Sequence, residues 1–108
     1  MTVKWYGRKQ SYMFQDNTIN LKGSSGGRGS PIWTNQGAVF ILYREESGRR
    51  IPMLIDEADR LLDALIQYVD SSLAGKVDHI GWQYNNDYQK RRVIKHDLID
   101  GNGRPPYN

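Results

Sequence analysis

The sequence predicts an α+β fold: an antiparallel, curved sheet of about four strands packed on one amphipathic helix, with a C-terminal β-hairpin extension. Three stretches carry this expectation. Ala38-Val39-Phe40-Ile41-Leu42-Tyr43 and Arg50-Ile51-Pro52-Met53-Leu54-Ile55 are β-branched or aromatic runs separated by the turn-like Glu45-Glu46-Ser47-Gly48, the signature of a hairpin. Directly afterwards Ala58, Leu61, Leu62, Leu65, Ile66, Val69 and Leu73 recur at the spacing of one helical face. Finally His79-Ile80-Gly81-Trp82-Gln83-Tyr84 alternates in the manner of a half-buried strand.

In chain order, Lys9-Gln10-Ser11-Tyr12-Met13-Phe14 reads as a strand, and Ile19-Asn20-Leu21-Lys22 as a further short one after a turn at Asp16-Asn17. Residues 23–31 hold too much glycine for a regular element and are expected to form a flexible loop with Arg28 near its tip. In the hairpin that follows, Pro52 has no N–H for a ladder, which places its strand at an edge or pairs it on one side only. The helix is expected over residues 56–73. Asp56 would cap it, Glu57 and Asp59 suit the positive end of its dipole, and Gly75 suits its end. Arg91-Arg92-Val93-Ile94-Lys95 is expected to return across Asn85-Asn86-Asp87 to His79–Tyr84 as a second hairpin. Residues 1–99 thus form one domain, and residues 100–108, with little to bury, a flexible tail.

A chain of 108 residues supports one core. It has no cysteine, which removes disulfide frameworks and thiolate metal sites and accords with a cytoplasmic setting. No stretch approaches the length of a membrane span, and no membrane partner is expected. The small size, high glycine content and lack of cysteine are compatible with a phage or mobile-element protein. The net charge of +3 divides unevenly: residues 1–50 carry +5, residues 51–76 carry −3 and residues 77–108 carry +1. One basic and one acidic surface follow, the distribution expected of a protein that meets a polyanion on one side.

Catalytic signatures are lacking. The glycine-rich segment has no terminal Gly-Lys-Ser/Thr and leads into Trp33 and a strand, so it is not a nucleotide-hydrolysing loop. His79 and His96 each neighbour an aspartate, Asp78 and Asp97, a pattern of almost no specificity for a metal. The carboxylates Asp56, Asp59, Asp63 and Asp70 fit a solvated helix face better than a metal-dependent nuclease centre. No catalytic residue, cofactor or metal is therefore expected. What does stand out is aromatic residues interleaved with cations, among Lys4, Trp5, Tyr6, Arg8, Lys9, Tyr12, Phe14, Lys22, Arg28, Trp33, Tyr43 and Arg44. Single-stranded nucleic acids are bound by this mixture, because cations neutralise phosphates and rings stack on bases.

A meandering sheet, the hairpin Val39 to Arg50, and Ile51-Pro52-Met53-Leu54-Ile55 running straight into the helix together resemble the single-stranded-DNA-binding superfamily of the positive cofactor 4 coactivator, Pur-alpha and Whirly proteins. The resemblance covers residues 9–73. It implies a curved four-stranded sheet, homodimers, and binding of unpaired DNA or RNA on the sheet face with little sequence preference. Mapped by position, it implies nucleic-acid contacts from Lys9, Tyr12, Phe14, Arg44, Arg49 and Arg50, with Lys22 and Arg28 in the adjoining segment; Trp33, from the aromatic and cationic pattern, is expected to stack on bases. The competing expectation is a small regulator or inhibitor that docks on a partner through the C-terminal hairpin, with Trp82 and Tyr84 as anchors.

Overall fold

The computed structural model describes residues 1–22 and 34–108. In chain order its elements are β1 (Thr2–Tyr6), β2 (Ser11–Thr18), β3 (Ala38–Glu46), β4 (Arg49–Ala58), α1 (Leu61–Ile66), a 3-10 turn (Ala74–Lys76), β5 (His79–Tyr84) and α2 (Tyr88–Asn102). The fold is α+β, and its strands form one antiparallel sheet in the order β1-β2-β5-β3-β4. Among the described residues, no helix is long and apolar enough to cross a membrane.

The sheet curls. β1 and β4 are its two edges, yet Arg50 Nη2 on β4 donates to the Lys4 carbonyl on β1 at 2.7 Å, and the Arg50 guanidinium lies 4.3 Å above the Trp5 ring. Trp5 in turn meets Tyr43 of β3 edge-on at 5.0 Å. The strands therefore enclose an inner core of Trp5, Tyr12, Phe14, Val39, Ile41, Tyr43 and Ile55, closed by Leu98 of α2. On the other face Phe40, Leu42, Leu54, Ile80 and Trp82 pack against Leu61 and Leu65 of α1 and against Leu73, Ala74 and Val77. β3 thus has apolar residues on both faces, which is why residues 38–43 read as an unbroken apolar run.

The β3–β4 hairpin forms as predicted. Ser47 and Gly48 both have positive φ, 53° and 77°, as two-residue hairpin loops require. Pro52 lies on an edge strand beside a register shift at Leu42/Tyr43. The strand expected over Lys9–Phe14 runs instead from Ser11 to Thr18, so that Asp16 and Asn17 pair with β5 and do not turn, while residues 19–22 form no strand. β1 was not anticipated.

Two expectations are corrected. Residues 56–58 continue β4, with Ala58 opposite Ala38, and the helix is confined to Leu61–Ile66. Asp56 and Glu57 are held in the strand, and with Asp59 they pair with cations of α2: Lys95 Nζ lies 3.0 Å from Asp56, Arg91 Nε lies 2.8 Å from Glu57, and Arg91 Nη2 reaches Asp59. Asp70, at φ 57°, sits in a left-handed turn that no helix accommodates. The C-terminal β-hairpin does not exist either. Asp87 caps a helix, its side chain accepting from Lys90 N at 3.1 Å, and α2 replaces the return strand. Its buried side includes Arg91 and Asp97, charges that interrupt the apolar stripe and leave Val93-Ile94 to suggest a strand.

Of residues 100–108, expected to fray, the first three complete α2 and the last two close the far edge of the sheet. Tyr107 N donates to Met53 O at 3.0 Å, and the Asn108 side chain accepts from Ile55 N at 2.9 Å and donates to Ile55 O at 2.7 Å.

Candidate nucleic-acid interface

The turn between β1 and β2 is fastened to α2 by one carboxylate. Asp97 accepts from Lys9 N at 2.8 Å, from Gln10 N at 3.3 Å and from the Tyr12 hydroxyl at 2.8 Å, while Arg8 N donates to its carbonyl at 3.0 Å. Burial pushes the Asp97 carboxyl upward, but the hydrogen bonds from Lys9, Tyr12 and Gln10 outweigh it and hold the group below the ordinary aspartate value. Glycine makes the approach close enough: a Cβ on Gly101 would lie 2.4 Å from the carbonyl carbon of Gly7. Asn102 Nδ2 adds a bond to Tyr6 O at 2.8 Å.

Docked in this way, the turn and α2 form the walls of a surface groove. α2 presents Gln89, Arg92, Val93, His96 and Asp100 at helical spacing, and the opposite wall is Lys9, Gln10 and Tyr12. This section has a volume of about 500 Å³. A second section of about 330 Å³ shares Gln10, Tyr12, Gln89 and Val93 with it and continues past Ile94 and Lys90. Lys9, Lys90 and Arg92 supply its permanent positive charges, opposed by Asp100 and by Asp97, whose oxygens are turned onto the β1–β2 turn. Beside the groove, the Arg92 guanidinium lies 5.6 Å from the ring of Tyr88, which is 47% exposed.

No family model, curated protein or solved structure matches the chain.

The residues singled out from the sequence fall into separate groups. Lys9 is exposed at the groove and Tyr12 forms its inner wall. Phe14 is fully buried in the inner core, where no base can reach it, because α2 covers the concave sheet face. Arg44, Arg49 and Arg50 lie at the β3–β4 hairpin: Arg44 pairs with Glu46 at 2.9 Å, Arg50 reaches across the curled sheet to β1, and Arg49 is exposed. Lys22 is exposed beside Gly75. Arg28, Trp33 and the loop over 23–31 lie outside the described residues. The sheet face expected to carry the contacts is therefore occupied by the protein's own helix.

The histidines also separate. His79 Nδ1 is 2.6 Å from Asp78 Oδ1, and its ring stacks on Tyr43 at 5.1 Å, whereas His96 lines the groove. Burial, and then the bond to Asp16, raise the Tyr43 hydroxyl well above its ordinary value, which leaves it a donor at 2.6 Å. Among the described residues, no three His, Asp or Glu side chains are grouped to hold a metal ion. Of the anchors proposed for partner docking, Trp82 is fully buried, and the Tyr84 hydroxyl accepts from Thr34 N at 2.8 Å.

Sequence reasoning missed Gln89, Lys90, Arg92, Val93 and His96 because a strand alternates every second residue and scatters them over two faces. The signal that would have united them was the Asp87 cap followed by Gln89, Val93, His96 and Asp100 at intervals of three and four.

Proposed function

We propose that the chain is a non-enzymatic, single-stranded nucleic-acid-binding protein of low sequence specificity, and that it binds through the groove between the β1–β2 turn and α2. One observation carries this reading: a single continuous groove combines the cations Lys9, Lys90 and Arg92 with an apolar floor of Tyr12, Val93 and Ile94. Unpaired strands need both surfaces, cations for phosphates and apolar or aromatic surface for bases, whereas a duplex offers its backbone and keeps its bases stacked. The uneven charge along the chain and the exposed Tyr88–Arg92 stack support the same reading. The resemblance to the positive cofactor 4, Pur-alpha and Whirly superfamily agrees in partner, though the contact surface proposed here is the helix side of the sheet.

Fluorescence anisotropy with labelled oligo-dT, oligo-U and a matched duplex, at low and physiological salt, tests the proposal. The expected result is tighter binding of the single strands, weakened about tenfold or more by Lys9→Ala/Arg92→Ala and little changed by Arg49→Ala. Absence of binding to either single strand at low salt overturns it.

A further inference from the structure

The two sections of the groove differ in chemistry, and the difference assigns them different parts of a strand. The section near Lys9, Arg92 and His96 is bordered by charge. The section beyond it is floored by Tyr12, Val93 and Ile94, and Lys90 is the only charged residue among the described residues that line it. Val93 is 63% exposed although it projects from a well-formed helix, an apolar side chain left largely uncovered by the described residues. Tyr12 opposite is mostly buried in the inner core and fixed by the bond from its hydroxyl to Asp97, so the edge of its ring that lines the section is already in position when something packs on it. At about 330 Å³ the section lies at the lower end of the range for clefts that take small molecules, roughly 300–1,000 Å³. That is room for a flat ring system.

We propose that this apolar section takes one unpaired nucleobase, seated against Val93 and Tyr12, while the phosphates on either side lie on Lys9, Arg92 and Lys90. The inference rests on the single-strand reading above and adds a site for the base. Gln89, exposed at the rim, carries an amide with both donors and an acceptor, so it can satisfy the edge of any base and imposes little preference. Bases of an intact duplex are held in the stack and cannot enter without being unpaired and flipped out.

The test compares oligo-dT with an abasic deoxyribose-phosphate oligomer of the same length, against the native chain and Val93→Gln. Glutamine is a good helix former without charge, and position 93 is exposed, so helix and net charge are retained. The native chain is expected to bind oligo-dT about tenfold more tightly than the abasic oligomer, and Val93→Gln to bring the two together. Equal affinity of the native chain for both oligomers overturns the base site and leaves single-strand binding standing. A base preference that survives Val93→Gln also overturns it, placing the base elsewhere. Binding to neither oligomer overturns the base site together with the function it rests on.

Discussion

Arg91 and Asp97 do at residue scale what an apolar stripe does in other helices. The Arg91 side chain is 2% exposed and donates to Glu57, Asp59 and the Asn85 carbonyl. Arg91→Leu leaves Glu57 partly buried without its partner, and urea unfolding is expected to show a loss of about 3–5 kcal/mol. The double change Arg91→Leu/Glu57→Leu removes both charges and is expected to recover most of that loss. Asp97 gives a prediction with pH. Its native carboxyl is held below the ordinary aspartate value of about 3.9. Its contribution is therefore complete above that value and disappears as the pH falls through the lowered native one. Asp78 acts in the same direction, since bonds from His79 and Glu45 N outweigh the effect of burial. Urea midpoints measured from pH 7 down to pH 2.5 should decline in the native chain, and decline less steeply in Asp97→Asn, which lacks the Asp97 contribution.

At the scale of elements, the fold rests on how closely α2 can approach the β1–β2 turn. Gly101→Ala puts a methyl group against the Gly7 backbone, and neither backbone can yield without moving the helix. A destabilisation of about 1–3 kcal/mol is expected, together with weakened nucleic-acid binding, because both walls of the groove shift. Thermal unfolding and the anisotropy assay read the two effects. The same contact explains what the sequence could and could not reveal. The β3–β4 hairpin was legible because its turn residues, its apolar runs and Pro52 are local signals, and His79–Tyr84 was legible from its alternation. The length of the helix after β4 was not, because the acids at 56, 57 and 59 answer to Lys95 and Arg91, more than thirty residues away. α2 was misread for the complementary reason: a buried arginine and a buried aspartate erase the periodicity by which an amphipathic helix is known. Of the candidate site, Lys9 and Tyr12 were found through their chemistry, while Lys90, Arg92 and Val93 depended on recognising that helix.

For the whole molecule, both rims of the sheet are met by the chain's own side-chain and backbone groups. On β1 the carbonyls of Lys4 and Tyr6 accept from Arg50 and Asn102, and on β4 the backbone of Met53 and Ile55 is met by Tyr107 and Asn108. Removing Tyr107 and Asn108 bares the rim of β4, which favours strand pairing between copies. Light scattering is expected to show concentration-dependent association of that truncated chain, and unfolding a loss of about 1–3 kcal/mol. Binding also has a molecular signature in salt. Three groove cations on a single strand give a slope of about −2 in log K against log salt, and Lys9→Ala is expected to flatten it by about 0.7.

The carboxylate that fastens the first turn to the last helix has a consequence in time. The bonds from Asp97 to Lys9 and to Tyr12 join residues 88 and 85 positions apart, among the most distant pairings a chain of this length permits. Such contacts are closed late, since the entropy of a long loop must be lost before the bond rewards it. The groove has no wall on one side until they close. A folding intermediate with its β3–β4 hairpin already formed would therefore be blind to nucleic acid, and in stopped-flow refolding the capacity to bind should emerge with the slowest phase, after most of the sheet signal has returned.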